Sequence, residues 1–202
     1  MKRPPILLAL LWIVALAAAC GQDEPSLPGF VLEPDDAPPI ELSDSTGRPV
    51  SLADYRGRPV VISFLYTDCP DVCPVIGQRI GQALETLDEK SEDVAVLIVS
   101  VDPAGDTPEK AQSFMEKHHL AGTGRHYLLG DAETLAPIWL AYGVGTAPLN
   151  GAQQQTGGAA QFGRIGHTDA TFLIDREGKK RTLLRGDATA EDIARGLRIL
   201  LR

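Results

Sequence analysis

The sequence predicts an α/β sandwich built on a mixed sheet, and three features point to it. Two continuous apolar runs, Pro59-Val60-Val61-Ile62-Ser63-Phe64-Leu65-Tyr66 and Val94-Ala95-Val96-Leu97-Ile98-Val99-Ser100-Val101, have the length of strands buried on both faces. Between them Ile76, Ile80, Ala83, Leu84 and Leu87 recur at helical spacing, with Gln78, Arg79, Gln82, Glu85 and Glu89 on the other side. Strand, helix, strand implies a right-handed parallel crossover. Near the C-terminus, Thr171-Phe172-Leu173-Ile174-Asp175, the turn Arg176-Glu177-Gly178-Lys179 and the run Lys180 to Arg185 read as an antiparallel hairpin, so one sheet holds both senses.

The chain divides into three parts. Met1-Lys2-Arg3 is a basic start, Ile6 to Ala19 is apolar but short for an untilted membrane span, and Ala17-Ala18-Ala19 supplies small residues before Cys20. Residues 1–19 are therefore an export signal. The stretch resembles a bacterial lipoprotein signal, in which the peptide is removed and the new N-terminal cysteine, here Cys20, is lipidated; Ala17 stands where leucine is common in that motif. Cys20 is also the odd cysteine of three, which in an exported protein calls for a role of its own. Residues 20–39, with Pro25, Pro28, Pro34, Pro38 and Pro39 among acidic residues, read as a semi-extended tether. Residues 40–202 are the folded domain. At 202 residues, 44% hydrophobic and 23% charged, the chain has material for one such domain. A net charge of −8 argues against nucleic acid or anionic lipid as a partner of the domain itself.

Within the domain, Ile40-Glu41-Leu42 and Pro49-Val50-Ser51-Leu52 flank Ser43-Asp44-Ser45-Thr46-Gly47 as an N-terminal hairpin. After the second apolar strand comes the turn Asp102-Pro103-Ala104-Gly105-Asp106. Asp106 or Thr107 can then cap a helix with Pro108 in its first turn, running to about His119. Arg125 to Leu129 is a short strand, Asp131 caps a helix carrying Leu135, Ile138, Trp139 and Tyr142, and Ala190 to Leu200 is a closing amphipathic helix.

The chemistry concentrates in Thr67-Asp68-Cys69-Pro70-Asp71-Val72-Cys73-Pro74, where a buried strand hands over to a helix. Pro70 suits the first helical turn. Thiols four apart on one helix face could converge on a metal ion or close a disulfide. The unpaired N–H groups and dipole of a helix start favour thiolate. Two core cysteines that are merely neighbours is the alternative.

This order of elements matches a thioredoxin-like architecture, with the reactive cysteines at the end of a central strand. Proteins of that architecture usually carry a cis-proline before the strand equivalent to Thr171–Asp175; aligned there, this chain has Asp169. His167, two residues earlier, could bring an imidazole to the sulfurs. Two thiolates and one imidazole suit copper, and Cu(I) especially.

Other candidates have plainer accounts. The adjacent His118 and His119 diverge on a helix and suit its C-terminus, and His126 reads as a strand-entry residue. Asp68 and Asp71 flank the thiols, either steering a cation or simply solvated. Gly143 to Gly163 is long and polar, either a cover over bound metal or a tolerated insertion.

Thr67 to Pro74, Ser100-Val101-Asp102-Pro103 with Asp106-Thr107-Pro108-Glu109, and His167 followed by Phe172-Leu173-Ile174-Asp175 together resemble the SCO/SenC family, from about Pro39 to Leu201. The resemblance implies a thioredoxin-like copper chaperone, tethered to a membrane through an N-terminal lipid anchor and facing the periplasm or cell exterior. Its copper ligands would be Cys69, Cys73 and His167, with the cysteines cycling between dithiol and disulfide. Its partner would be the copper-bearing subunit of cytochrome c oxidase or another copper carrier. Many members have an acidic residue where this chain has Gly166. A monomer is expected. The competing class is an enzyme, a thiol-disulfide reductase that keeps client cysteines reduced; a peroxiredoxin-like peroxidase is a more distant alternative.

Overall fold

In the computed structural model, which describes residues 26–145 and 169–202, one sheet of eight strands carries four α-helices among the described residues. In chain order these are β1 (Phe30–Asp36), β2 (Glu41–Asp44), β3 (Pro49–Ser51), β4 (Val60–Leu65), α1 (Val72–Leu87), β5 (Ala95–Ser100) and α2 (Pro108–Lys117). There follow β6 (Arg125–Leu129), α3 (Ala132–Ala141), β7 (Thr171–Ile174), β8 (Lys179–Leu184) and α4 (Ala190–Leu200). The strand order is β1-β8-β7-β4-β5-β6-β2-β3. β4, β5 and β6 run parallel and all other pairings are antiparallel, giving the mixed sheet that the sequence predicts.

Every residue of β4 and β5 is buried. That explains why both read as unbroken apolar runs rather than alternating ones: helices cover the two faces of a parallel pair. The faces can be assigned from β4 and β7, whose alternate side chains point to opposite sides. Phe64 and Phe172 share one face, where the ring of Tyr142, just past α3, lies 5.2 and 5.3 Å from theirs. Leu173 points to the other face, under Gly196 of α4, and α4 packs beside α1. The chain is thus a three-layer sandwich.

β1 departs from the sequence reading. The stretch Phe30–Asp36, expected to be tether, is a strand that pairs with β8, Phe30 opposite Leu183 and Asp36 opposite Lys179. Phe30 and Val31 stay exposed. Thr182 reinforces the attachment, its hydroxyl donating to the carbonyls of Pro28 (2.5 Å) and Phe30 (3.1 Å). The segment before residue 26, including the leader and Cys20, lies outside the described residues.

The helix boundaries follow their caps. The Thr107 hydroxyl accepts from the Lys110 N–H at the start of α2, the Asp131 carboxylate from Thr134 N–H at α3, and Thr189 forms a reciprocal capping box with Asp192 at α4. α2 ends at Lys117, two residues before the expected stop, where His119 takes a positive φ of 57°.

α1 and α2 approach closely because α1 presents glycine to its neighbour. A Cβ at Gly81 would overlap the His118 carbonyl, and one at Gly77 would press on the Phe114 ring at 2.8 Å. Glycine inside a helix ordinarily costs about 1 kcal/mol relative to alanine. Here contact reverses the preference. Gly81→Ala is expected to destabilise the domain by about 1–3 kcal/mol despite alanine's better helix propensity, read as a lower urea midpoint at unchanged slope.

Candidate metal and redox site

The site forms where β4 and β5 end level with each other, Leu65 opposite Ser100. From Leu65 the chain turns through Tyr66, whose carbonyl accepts the Cys69 N–H at 3.4 Å, and enters α1 at Val72. Pro70 precedes the helix rather than opening it, so Cys69 lies in the turn and only Cys73 is helical. The expectation that both cysteines share a helix face is therefore corrected. They still meet, by a different route: the Cys69 sulfur accepts the Cys73 backbone N–H at 3.3 Å. Asp71, the residue just before the helix, makes no side-chain cap, and the sulfur supplies the missing acceptor at this end.

The two thiols differ. Cys73 is 0% exposed and Cys69 6%. The hydrogen bond to the Cys69 sulfur, then burial, then the negative charge of that sulfur and of Asp106 push the Cys73 thiol far above its ordinary value, against a lowering backbone hydrogen bond from Tyr66. Helix-dipole stabilisation of a thiolate, expected from the sequence, is thus outweighed at Cys73. The Tyr66 phenol is likewise held above its ordinary range, by burial first and then by the Cys69 sulfur that accepts its hydrogen bond. Three donors therefore converge on one sulfur.

Cys69 lines a cleft of about 400 Å³ with Thr67, Asp68, Pro74, Phe114 and His118 among its walls. Of the two cysteines, Cys69 is the one that borders this cleft. His118, read as a structural helix-end histidine, is buried against Phe114 with ring centroids 4.4 Å apart, and burial pushes its imidazole down, with Lys117 and His119 adding to the effect. His119 pairs on the surface with Glu85 at 3.3 Å. His126 is more than a strand-entry residue: it is buried and its Nδ1 lies 2.9 Å from Asp44 Oδ2. Asp68 is tied to Lys110 at 2.7 Å, and Asp71 is exposed. Among the described residues, no three His, Cys, Asp or Glu side chains gather as a metal site. His167, Gly166 and the stretch 146–163 of the polar loop lie outside the described residues.

The described chain resumes at Asp169, two residues after His167 in the sequence. β7 runs antiparallel to β4, Thr171 opposite Ser63, so it starts at the end of the sheet where the cysteines sit. Just before it, Asp169 accepts the Gly186 N–H at 2.9 Å, and a Cβ at Gly186 would meet both Asp169 and Val72 Cγ2. Asp169 thus stands beside the first residue of α1. No cis peptide occurs among the described residues.

A profile of the SCO1/SenC family matches residues 33–202. The chain belongs to this family. It is 30% identical to protein SenC of Rhodobacter capsulatus over 156 residues, covering 77% of this chain and 66% of that one. Among solved structures it resembles apo Sco1 of Thermus thermophilus, with a TM-score of 0.72, 28% identity and coverage of 89% of this chain and 99% of the other. It also resembles copper-bound ScoI of Bradyrhizobium japonicum, with a TM-score of 0.67, 26% identity and coverage of 82% and 99%. The thioredoxin-like fold of these Sco proteins is the one predicted from the sequence. Within this SCO1/SenC chain the residue that sequence reading passed over is Asp106, which receives hydrogen bonds from Thr67, Ser100 and Tyr127. Its signals in the sequence were the choice between Asp106 and Thr107 as helix cap and its place in the segment Asp106-Thr107-Pro108-Glu109.

The inequality of the two thiols has a direct readout. Iodoacetamide at neutral pH should modify Cys69 at least about tenfold faster than Cys73 in the folded reduced protein, followed by mass spectrometry of the tryptic peptides. Equal rates would contradict the sealing of Cys73 in the core beside a Cys69 that borders the cleft.

Proposed function

We propose that this SCO1/SenC chain is a membrane-tethered copper chaperone that binds one copper ion through Cys69, Cys73 and His167. It delivers that ion to the binuclear copper centre of cytochrome c oxidase, through the copper-bearing subunit or another copper carrier. The observation that carries this reading is the juxtaposition of two cysteines, the Cys69 Sγ accepting the Cys73 backbone N–H at 3.3 Å, on a fold shared with copper-bound ScoI. Copper is cargo here, and thiolate donors suit Cu(I).

Two further observations support the ligand set. Asp169, two residues after His167 in the sequence, stands beside the start of α1. The cysteine pair supplies two of the three donors side by side, and two thiolates with an imidazole suit copper. Cys20 as a lipid attachment point, with the domain facing the periplasm or cell exterior, completes the proposal. β1 would then follow directly on a short tether.

Transfer proceeds by ligand exchange. An incoming cysteine or histidine of the client enters the cleft and meets the metal on the Cys69 side, because Cys73 is sealed in the core. Cys69 is released first and takes up the proton balance of the exchange, and Cys73 follows.

A second reading is favoured by the unequal thiols: a dithiol with one sulfur bordering a cleft and one sealed in the core, its thiol held far above the ordinary value, also suits a thiol-disulfide reductase. Copper titration separates the two. The reduced chain from residue 21 onward, titrated against a competing Cu(I) chelator, should hold one equivalent, and His167→Ala should lose at least about tenfold in affinity, about 1.4 kcal/mol. Failure of the wild-type protein to retain copper would leave the reductase as the working function.

A further inference from the structure

The turn that carries Cys69 is clamped from the neighbouring strand's side. Asp106 Oδ1 accepts both the Thr67 N–H at 2.8 Å and the Thr67 hydroxyl at 2.7 Å. Its Oδ2 accepts the Ser100 hydroxyl at 2.6 Å and the Tyr127 hydroxyl at 3.0 Å. One carboxylate thus joins the turn after β4, the end of β5 and the middle of β6. Hydrogen bonds to a charged acceptor are stronger than neutral ones, and four on one carboxylate leave it little freedom. Lys110 adds a second clamp one residue on, its Nζ donating to Asp68 Oδ2 at 2.7 Å and to the Gly105 carbonyl at 2.9 Å. Asp106 is available for this because Thr107, not Asp106, caps α2.

We infer that Asp106 is a positioning residue for the Cys69–Cys73 dithiol: by fixing Thr67 it holds the Cys69 sulfur over the first turn of α1 and raises the effective concentration of one thiol at the other. The inference rests on the reading of these cysteines as the working pair and deepens it. A loosely held turn would spend binding energy on ordering itself each time the sulfurs act together, whether on a metal ion or in a disulfide.

The test is the equilibrium of the full chain with glutathione, read as the fraction of Cys69–Cys73 peptide that carries a disulfide. In this exchange the two thiols give two protons and two electrons to glutathione disulfide, which becomes two molecules of glutathione. Asp106→Asn should shift the equilibrium about tenfold toward the dithiol, equivalent to about 30 mV for the two-electron couple. Thr67→Val, which removes only the hydroxyl bond and no charge, should shift it the same way by less. Tyr127→Phe, which removes a donor on the far oxygen, should lower stability but leave the equilibrium at the wild-type value. Wild-type equilibria in both Asp106→Asn and Thr67→Val, or an equal shift in Tyr127→Phe, would overturn the inference while the functional reading stood. A wild-type chain that neither forms the disulfide nor retains copper would overturn the functional reading, and this one with it.

Discussion

The cysteine end of the molecule depends on two parallel strands stopping at the same level. With Leu65 beside Ser100, both chains must turn together at the carboxyl end of the sheet, and their backbone groups lose the ladder at once. The vacated bonds are remade across the gap: Val101 N–H donates to the Leu65 carbonyl at 3.0 Å, and the Trp139 indole to the Ser100 carbonyl at 2.9 Å. Between these, a carboxylate takes the hydroxyls that the two ends present. The cysteines stand on this rebuilt rim. Their geometry is as firm as the rim, and the rim as firm as the two fully buried strands beneath it.

What the sequence made legible is what local pattern can encode. The runs Val60–Leu65 and Ala95–Ser100 announced themselves because burial on both faces leaves no polar position to blur them. The periodicity of Ile76, Ile80, Leu84 and Leu87 matches the buried stripe of α1, and the closing helix occupies Ala190–Leu200 as read. The strand Phe30–Asp36 was hidden for the opposite reason. It is mostly exposed, acidic and interrupted by Pro34, and it is a strand only because β8 offers it an edge. No property of that stretch alone reveals its partner.

At the site the same division holds. The spacing of Cys69 and Cys73 disclosed that they meet, but placed both on the helix, whereas the cap geometry leaves Cys69 in the turn. The charge of Cys73 was misjudged because a helix start is a local feature, whereas burial and a neighbouring sulfur are tertiary ones, and these prevail. Asp106 was legible as a capping candidate and as part of a motif but not as a clamp, since its partners Thr67, Ser100 and Tyr127 come from three other places in the chain. The shared fold with Sco proteins, by contrast, needed only the order of elements and the motif at the junction.

One feature of α1 ties the chemistry to the backbone. The acceptor that completes its first turn is not an oxygen from a capping side chain but the reactive sulfur itself, 3.3 Å from the Cys73 N–H. Any bond that draws electron density from that sulfur competes with the helix for it, and by thermodynamic reciprocity whatever steadies the helix start alters what the sulfur can hold. The occupancy of the sulfur is therefore written into the local opening of a single helical turn. Amide hydrogen exchange at Val72, Cys73 and Val75 becomes a gauge of the site's state, legible without seeing the metal or the disulfide at all.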